Sequence, residues 1–485
     1  MLYHSTRTAE AVVDSAQAVL EGLAPDGGLY VPESIPAIDV AACLQEAPMA
    51  MARRIIGALL PDINDMEQLV HAAYSGKFSA PDLTPTVPAG PFTVLELFHG
   101  PTSAFKDVAL CMLPRLLGQA RKQKGMQEDI LILTATSGDT GKAALEGFRD
   151  VDGIRICVFY PHGGVSKVQR AQMVTQEGNN VTVCAVRGNF DDAQTGVKNI
   201  FAAAENGKLP GGNRLRLSTA NSINIGRLAP QVTYYFKAYS DLLKRGTIRM
   251  GEQVNFCVPT GNFGDILAGY LAKLMGLPVG MLVCASNANN VLTDFIRTGT
   301  YDRRRPLHKT VSPSMDILVS SNLERLLYFM SHDTDLVAEL MHQLNTRGVY
   351  TVPEGMQEAV RAQFWAGFCD DEKTKETIAS VFDRFGYLCD THTAAAWAVA
   401  EDYVNQTGDD RPMVVLSTAS AYKFPAAVLE SLGSALPEDD FAAMAQLHQK
   451  TKVPVPQNLQ GLQEKPERHT SVIEKDAMLE YVMAL

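Results

Sequence analysis

The sequence predicts an α/β fold in which mostly parallel, twisted sheets are flanked by helices, preceded by a small N-terminal domain. Two observations carry that expectation. Short β-branched runs alternate with helical patterns through the middle of the chain, the grammar of a sheet covered on both faces. The chain has 485 residues, 46% apolar and 20% charged, so it can bury a sizeable core without disulfide or metal staples. Length alone suggests roughly three structural units.

The elements follow in order. Ala11, Val12, Ala18, Val19 and Leu20 lie near helical spacing, and Pro25-Asp26-Gly27-Gly28 forces a turn. A second helical stretch runs from about Ala50 to Leu60. Residues 79–91, rich in proline, serine and threonine, read as a linker, so a first domain is expected over 1–85. Strands are then expected at Ile130–Leu133, Ile154–Tyr160, Val181–Val186, Val254–Val258, Val279–Ala285 and Met413–Leu416. Helical patterns follow the first through Phe148 and the fourth to about Met275. This region is expected to span 86–430 as two α/β subdomains. Residues 431–485 are polar and carry Pro437, Pro454, Pro456 and Pro466; they read as an extension wrapping the surface.

Charge and cysteine usage exclude several functions. The net charge is −11, which gives no global positive field to gather nucleic acid or anionic lipid. Arg303-Arg304-Arg305 is the densest basic run and reads as a solvated loop. The eight cysteines stand singly, with no Cys-x-x-Cys pair, so no metal site is expected and a reducing cytosol fits. The first residues lack a hydrophobic signal core, and no apolar run reaches 18 residues, so neither export nor a membrane span is expected. A cytoplasmic protein is the resulting expectation.

Glycine-rich turns follow strands or open helices: Ser137-Gly138-Asp139-Thr140-Gly141, Gly163-Gly164 and Gly261-Asn262-Phe263-Gly264-Asp265. Such turns bind anions, because free N–H groups and the helix dipole converge there. Only two residues separate Gly138 from Gly141, and Ala143 follows Lys142, so this is no P-loop. No Gly-x-Gly-x-x-Gly stands at a strand end, so a dinucleotide site is unsupported. In Phe98-His99-Gly100-Pro101-Thr102-Ser103-Ala104-Phe105-Lys106-Asp107, one lysine stands among apolar neighbours. An apolar surround lowers a lysine pKa and favours the neutral amine that a Schiff base needs. A lysine taken alone would read as a snorkelling surface residue.

Its company reverses that reading. Phe98–Asp107, Thr136–Gly141, Asn221-Ser222-Ile223-Asn224, Pro259–Asp265 and Leu416–Ala419, with Ser5-Thr6-Arg7 near the start, together resemble threonine synthase. This is a pyridoxal-phosphate family of the tryptophan-synthase β-like group, and the match is to its subfamily with an extra amino-terminal domain. The resemblance implies the tryptophan-synthase β-like fold and pyridoxal 5'-phosphate held by Lys106. It implies that Gly261, Asn262, Phe263, Gly264 and Asp265 hold the cofactor phosphate, and that Thr418 stands beside the pyridine nitrogen. It implies that Ser137, Gly138, Asp139 and Thr140 close over the substrate carboxylate. Two departures stand beside this pocket. Ser103 replaces a frequent leucine, and Ser420-Ala421 replaces a frequent His-Pro before Tyr422-Lys423-Phe424.

The implied substrate is O-phospho-L-homoserine, converted with water to L-threonine and phosphate. Its phosphate needs cationic and hydroxyl donors of its own. Asn221, Ser222, Asn224 and Arg227 cluster in one segment, and Lys167 follows the Gly163-Gly164 turn; these are the expected substrate ligands. The ordinary alternative for Arg227 is a solvated residue at a helix start. His99 and His392 are given supporting, not catalytic, roles. Two rival functions stand beside this one: a related phospho-lyase that releases a keto acid, and a cofactor-binding protein without activity. Intact Lys106 and both glycine turns count against the second.

Overall fold

The computed structural model describes residues 1–10, 12–136, 138–205 and 215–485. Among them the strands form four sheets. The largest has the order Phe364–Phe368, Val279–Ser286, Val254–Pro259, Met413–Ser417, Phe92–Glu96, Thr86–Ala89. Its first four pairings are parallel and the last is antiparallel. The second runs Val472–Glu474, Val181–Arg187, Ile154–Pro161, Asp129–Ala135, Leu215–Ser218, parallel throughout. The strands read as continuous apolar runs because both faces are covered: every residue of Val254–Pro259 and of Met413–Ser417 is buried.

The amino-terminal part differs from its sequence reading. Val13–Asp14 pairs with Leu2–Ser5, which pairs with Tyr30–Pro32, giving a small antiparallel sheet. The helix begins only at Ser15, because the Asp14 side chain accepts from Gln17 N–H and caps it. The next helix, Pro48–Leu59, starts on a proline at its first position and buries Met51, Ala52, Ile55, Ile56 and Leu59 on one face.

Two further expectations need correction. Within the supposed linker, Thr86–Ala89 and Phe92–Glu96 form the antiparallel margin of the large sheet. Pro88 is tolerated there because an edge strand donates on one side only. The carboxyl-terminal stretch also does more than wrap the surface. Val472–Glu474 adds a strand to the second sheet, and Met478 and Val482 are buried against Val197 and Ile200.

Turns and loops follow the carboxyl ends of the parallel strands, where open α/β sheets place their crevices. The segments after Phe92–Glu96, Asp129–Ala135, Val254–Pro259 and Met413–Ser417 are the four that carry most of the expected site. Among the described residues, no helix is long and apolar enough to cross a membrane.

Candidate active site

Lys106 opens the helix Lys106–Leu110. The turn before it is stitched in place. Thr102 donates to the Asp107 carboxylate through its N–H at 2.8 Å and its hydroxyl at 2.5 Å. Phe105 N–H donates to the Thr418 carbonyl at 2.8 Å, and Ser420 N–H to the Ser103 carbonyl at 3.1 Å. Two strand ends of one sheet thereby lock each other. Thr418 itself is buried.

The Lys106 side chain is 9% exposed. Its Nζ lies 4.6 Å above the Phe105 ring and 3.4 Å from Ser314 Oγ. Burial pushes its pKa down, and the nearby charges of Lys423 and Arg227 push the same way, against Asp139 and Asp265. Burial of this kind favours the neutral, nucleophilic form of a lysine amine.

Gly261 to Asp265 follows Val254–Pro259 and opens the helix Gly264–Leu274. Phe263 caps that helix in the left-handed conformation, φ 67°, and supplies no side-chain bond to its first N–H groups. Its ring is buried against Phe364. Asn262 is exposed, and its carbonyl accepts from Asn322 N–H at 3.0 Å. Asp265 is buried, and burial raises its carboxyl to about 6. A Cβ placed on Gly264 would find its nearest protein atom at 3.4 Å. Asp265 Oδ1 accepts from Ile266 N–H at 2.9 Å, which leaves the turn before it, at a glycine with room in front of it, to suit a phosphate. The buried low-pKa amine of Lys106 suits an aldehyde. The residues present therefore fit pyridoxal phosphate.

The second anion turn follows Asp129–Ala135. Ser137 lies outside the described residues. Gly138 has φ 148°, a backbone that side chains rarely adopt, and its N–H and that of Gly141 both donate to Thr136 Oγ1. Asp139 and Thr140 begin the helix Asp139–Phe148; Asp139 is buried and Thr140 half-buried. Burial opposes ionisation of Asp139, but the charges of Lys423 and Lys106 outweigh it and hold the carboxyl well below its usual range.

Arg227 is not the solvated residue that its position at a helix start allows. It is 3% exposed. One terminal nitrogen donates to the Ala220 carbonyl, while Nε is buried without a partner. Burial lowers its pKa to about 10. A buried guanidinium with an unmade hydrogen bond is the atom set an anionic ligand would complete. Ser222 lies near Gly264 and accepts from Asn322 Nδ2 through its carbonyl at 3.1 Å. Asn221 is exposed, 3.5 Å from the Thr134 hydroxyl.

Two expected ligands are not brought to this cluster. The Lys167 side chain is 65% exposed and faces Asp439 at 4.0 Å; it stands on the surface because Ser166 caps its helix there. Asn224 is the helix cap: its Oδ1 accepts from Gly226 N–H at 2.8 Å and its Nδ2 donates to the Val19 carbonyl at 2.9 Å. Its role is to tie this helix to the amino-terminal part. Conversely, sequence reading passed over Ser314, Gln169 and Lys423. Gln169 Nε2 donates to Asp139 Oδ1 at 3.0 Å, and Lys423 sits 2.8 Å from the same oxygen. Lys423 did carry a signal, a lone lysine after Ala421-Tyr422, as Lys106 follows Ala104-Phe105. His392 holds Ser314: its Nε2 takes the Ser314 N–H at 3.1 Å, while Nδ1 faces Asp390 at 2.7 Å.

Comparison with known proteins places the chain in a family. The model described as "Threonine synthase N terminus" matches residues 2–74, "Pyridoxal-phosphate dependent enzyme" matches 78–419, and "Threonine synthase, C-terminal" matches 393–482. The chain is 42% identical over 437 residues to threonine synthase of Pseudomonas aeruginosa, covering 88% of this chain and 90% of that one. It is 40% identical over 435 residues to threonine synthase-like 1 of Macaca fascicularis, covering 86% of this chain but spanning only 58% of that relative's length. The crystal structure of PLP-bound threonine synthase from Brucella melitensis superposes with a TM-score of 0.88 at 37% identity, over 100% of this chain and 99% of that one. The fold thus agrees with the comparisons, and the chain belongs to the threonine synthase family of pyridoxal-phosphate-dependent enzymes.

Proposed function

We propose that the protein converts O-phospho-L-homoserine and water to L-threonine and phosphate. The observation that carries this reading is Arg227, a buried cation with an unpartnered Nε, near Lys106. A substrate with a phosphate of its own needs two anion sites at one lysine. The Gly261–Asp265 turn serves the cofactor's phosphate and Arg227 the substrate's, with Ser222 and Asn221 beside it. Gly138, Asp139 and Thr140 flank the substrate carboxylate.

Pyridoxal phosphate, when bound, supplies the electron sink that makes the substrate α-proton removable. The chain's own residues do the rest. Lys106 Nζ, its basicity lowered by burial, takes that proton and returns protons at later carbons. The phosphate departs from the γ-carbon toward the Arg227 guanidinium. Water adds at the β-carbon. The buried walls around Lys106 limit water to that step. Eight buried cysteines, all free, suit a cytosolic enzyme.

Incubation of the holoenzyme with O-phospho-L-homoserine tests the reading. Threonine and phosphate in equal amounts are the expected products. A keto acid with phosphate would instead identify a phospho-lyase. Absence of phosphate release would overturn both.

A further inference from the structure

Two lysines are buried at this site. Lys423 is fully buried. Its Nζ stands 2.8 Å from Asp139 Oδ1 and donates to the Thr102 carbonyl at 2.9 Å. Thr102 grips Asp107, the neighbour of Lys106, by two hydrogen bonds. Lys423 therefore joins the turn that carries Lys106 to the first turn of the helix Asp139–Phe148.

The geometry points to Lys423 as a positioning residue that keeps Asp139 engaged, so that Asp139 does not take Lys106 as its ion-pair partner. This rests on Lys106 being the cofactor lysine. A buried carboxylate needs a cation or several donors. Gln169 supplies one neutral donor, which leaves the charge to be met by a lysine. Were Lys106 that lysine, it would be held as an ammonium. An ammonium has no lone pair. The cofactor bond forms when the neutral Nζ adds to the aldehyde carbon and one water leaves as the C=N bond is made, so a proton must first be lost. The groups that face Lys106 are Asp139 and Asp265, which favour its charged form, and Lys423 and Arg227, which oppose it. The Ser314 hydroxyl is neutral. Asp107, also within reach of Lys423, is already bonded to Thr102. Taking away Lys423 removes one opposing charge and frees one favouring charge, and both changes push Lys106 toward the ammonium.

The test follows C=N bond formation by the apoprotein with pyridoxal phosphate across pH, through its visible absorbance, with borohydride trapping and peptide mapping to locate it. For Lys423→Met the midpoint of the rate against pH should rise by about 1–3 units. Asp139→Asn in the same chain should return it toward the parent value. Asp139→Asn alone should lower the midpoint, because a charge favouring the ammonium is lost and Lys423 is left unpaired beside Lys106; Lys423→Gln, which keeps a donor to Asp139 without the charge, decides the matter if Lys423→Met does not fold. An unchanged midpoint in folded Lys423→Met or Lys423→Gln, or in Asp139→Asn, overturns the inference while leaving Lys106 as cofactor lysine. Trapping on a lysine other than Lys106 in the parent protein overturns the site assignment and this inference with it.

Discussion

Gly261 lies against Ser314: a Cβ built on Gly261 would stand 2.6 Å from the Ser314 carbonyl oxygen. The Ser314 segment is in turn fixed by His392 through its N–H, and its hydroxyl reaches Lys106. The glycine is thus required by the protein's own backbone. Gly261→Ala should lower the stability of the apoprotein by about 1–3 kcal/mol, the usual cost of overpacking. A melting temperature equal to the parent's would contradict this.

Gly264 is the cleaner probe of the cofactor phosphate. Its Cβ would meet nothing closer than 3.4 Å, so Gly264→Ala should fold as well as the parent. It should nevertheless weaken pyridoxal phosphate binding at least about tenfold, because the methyl group would occupy the space before the helix N-terminus. Gly118, inside the helix Leu113–Gln123 with open space around it, serves as control. Gly118→Ala should keep full affinity and gain about 0.5–1 kcal/mol in stability. Gly251 would not serve, since its φ of 90° strains any side chain. Equal affinity in all three proteins would detach this turn from the phosphate.

Arg227→Ala should raise KM for O-phospho-L-homoserine and leave cofactor content unchanged. Loss of one charged hydrogen bond to phosphate costs about 1.5–3 kcal/mol, roughly ten- to a hundredfold in kcat/KM. Binding of an amino acid without phosphate should hardly change. Lys167→Ala, on the exposed surface, should leave KM where it was. Equal losses for both ligands with Arg227→Ala would make the arginine structural.

Asp107 and Asp265 give the apoprotein a predictable response to pH. Burial raises each carboxyl from 3.8 to about 6. In that window the native chain binds more protons than the unfolded one, so stability is fully present below about pH 4 and falls as pH rises through about 6. Other carboxylates, such as Asp139, act in the opposite direction at lower pH. Replacing Asp265 with asparagine should therefore flatten the decline between about pH 4 and 6 in urea unfolding of the apoprotein. An undiminished slope would show that Asp265 does not titrate there.

The parallel strands were legible because burial on both faces writes them as apolar runs, as in Val254–Pro259. Phe364–Phe368 was not, because it continues directly from the helix Glu354–Gln363 with no turn residue between. Leu215–Ser218 alternates Leu, Arg, Leu, Ser at a half-exposed edge, too short and too polar to stand out. At the site, motifs contiguous in sequence were visible: the Lys106 turn and both glycine turns. Ser314 and Gln169 were not, since each joins the cluster only through tertiary contact. Asn224 is ambiguous for a physical reason: a helix cap, which it forms here, and a ligand amide use the same residue type.

The pairing of Val472–Glu474 with Val181–Arg187 has a consequence for biosynthesis. A ribosome finishes the inner strand long before it makes the strand that covers it. At roughly 5–20 residues per second, that flank stays bare for many seconds on every nascent chain. A bare strand flank is a template for a neighbouring chain. Maturation is not a simple succession of finished modules here, because Ala185–Arg187 of the sheet bearing the Asp139 turn gain their strand partner, and its flanking helix Met478–Met483, only from the last residues made.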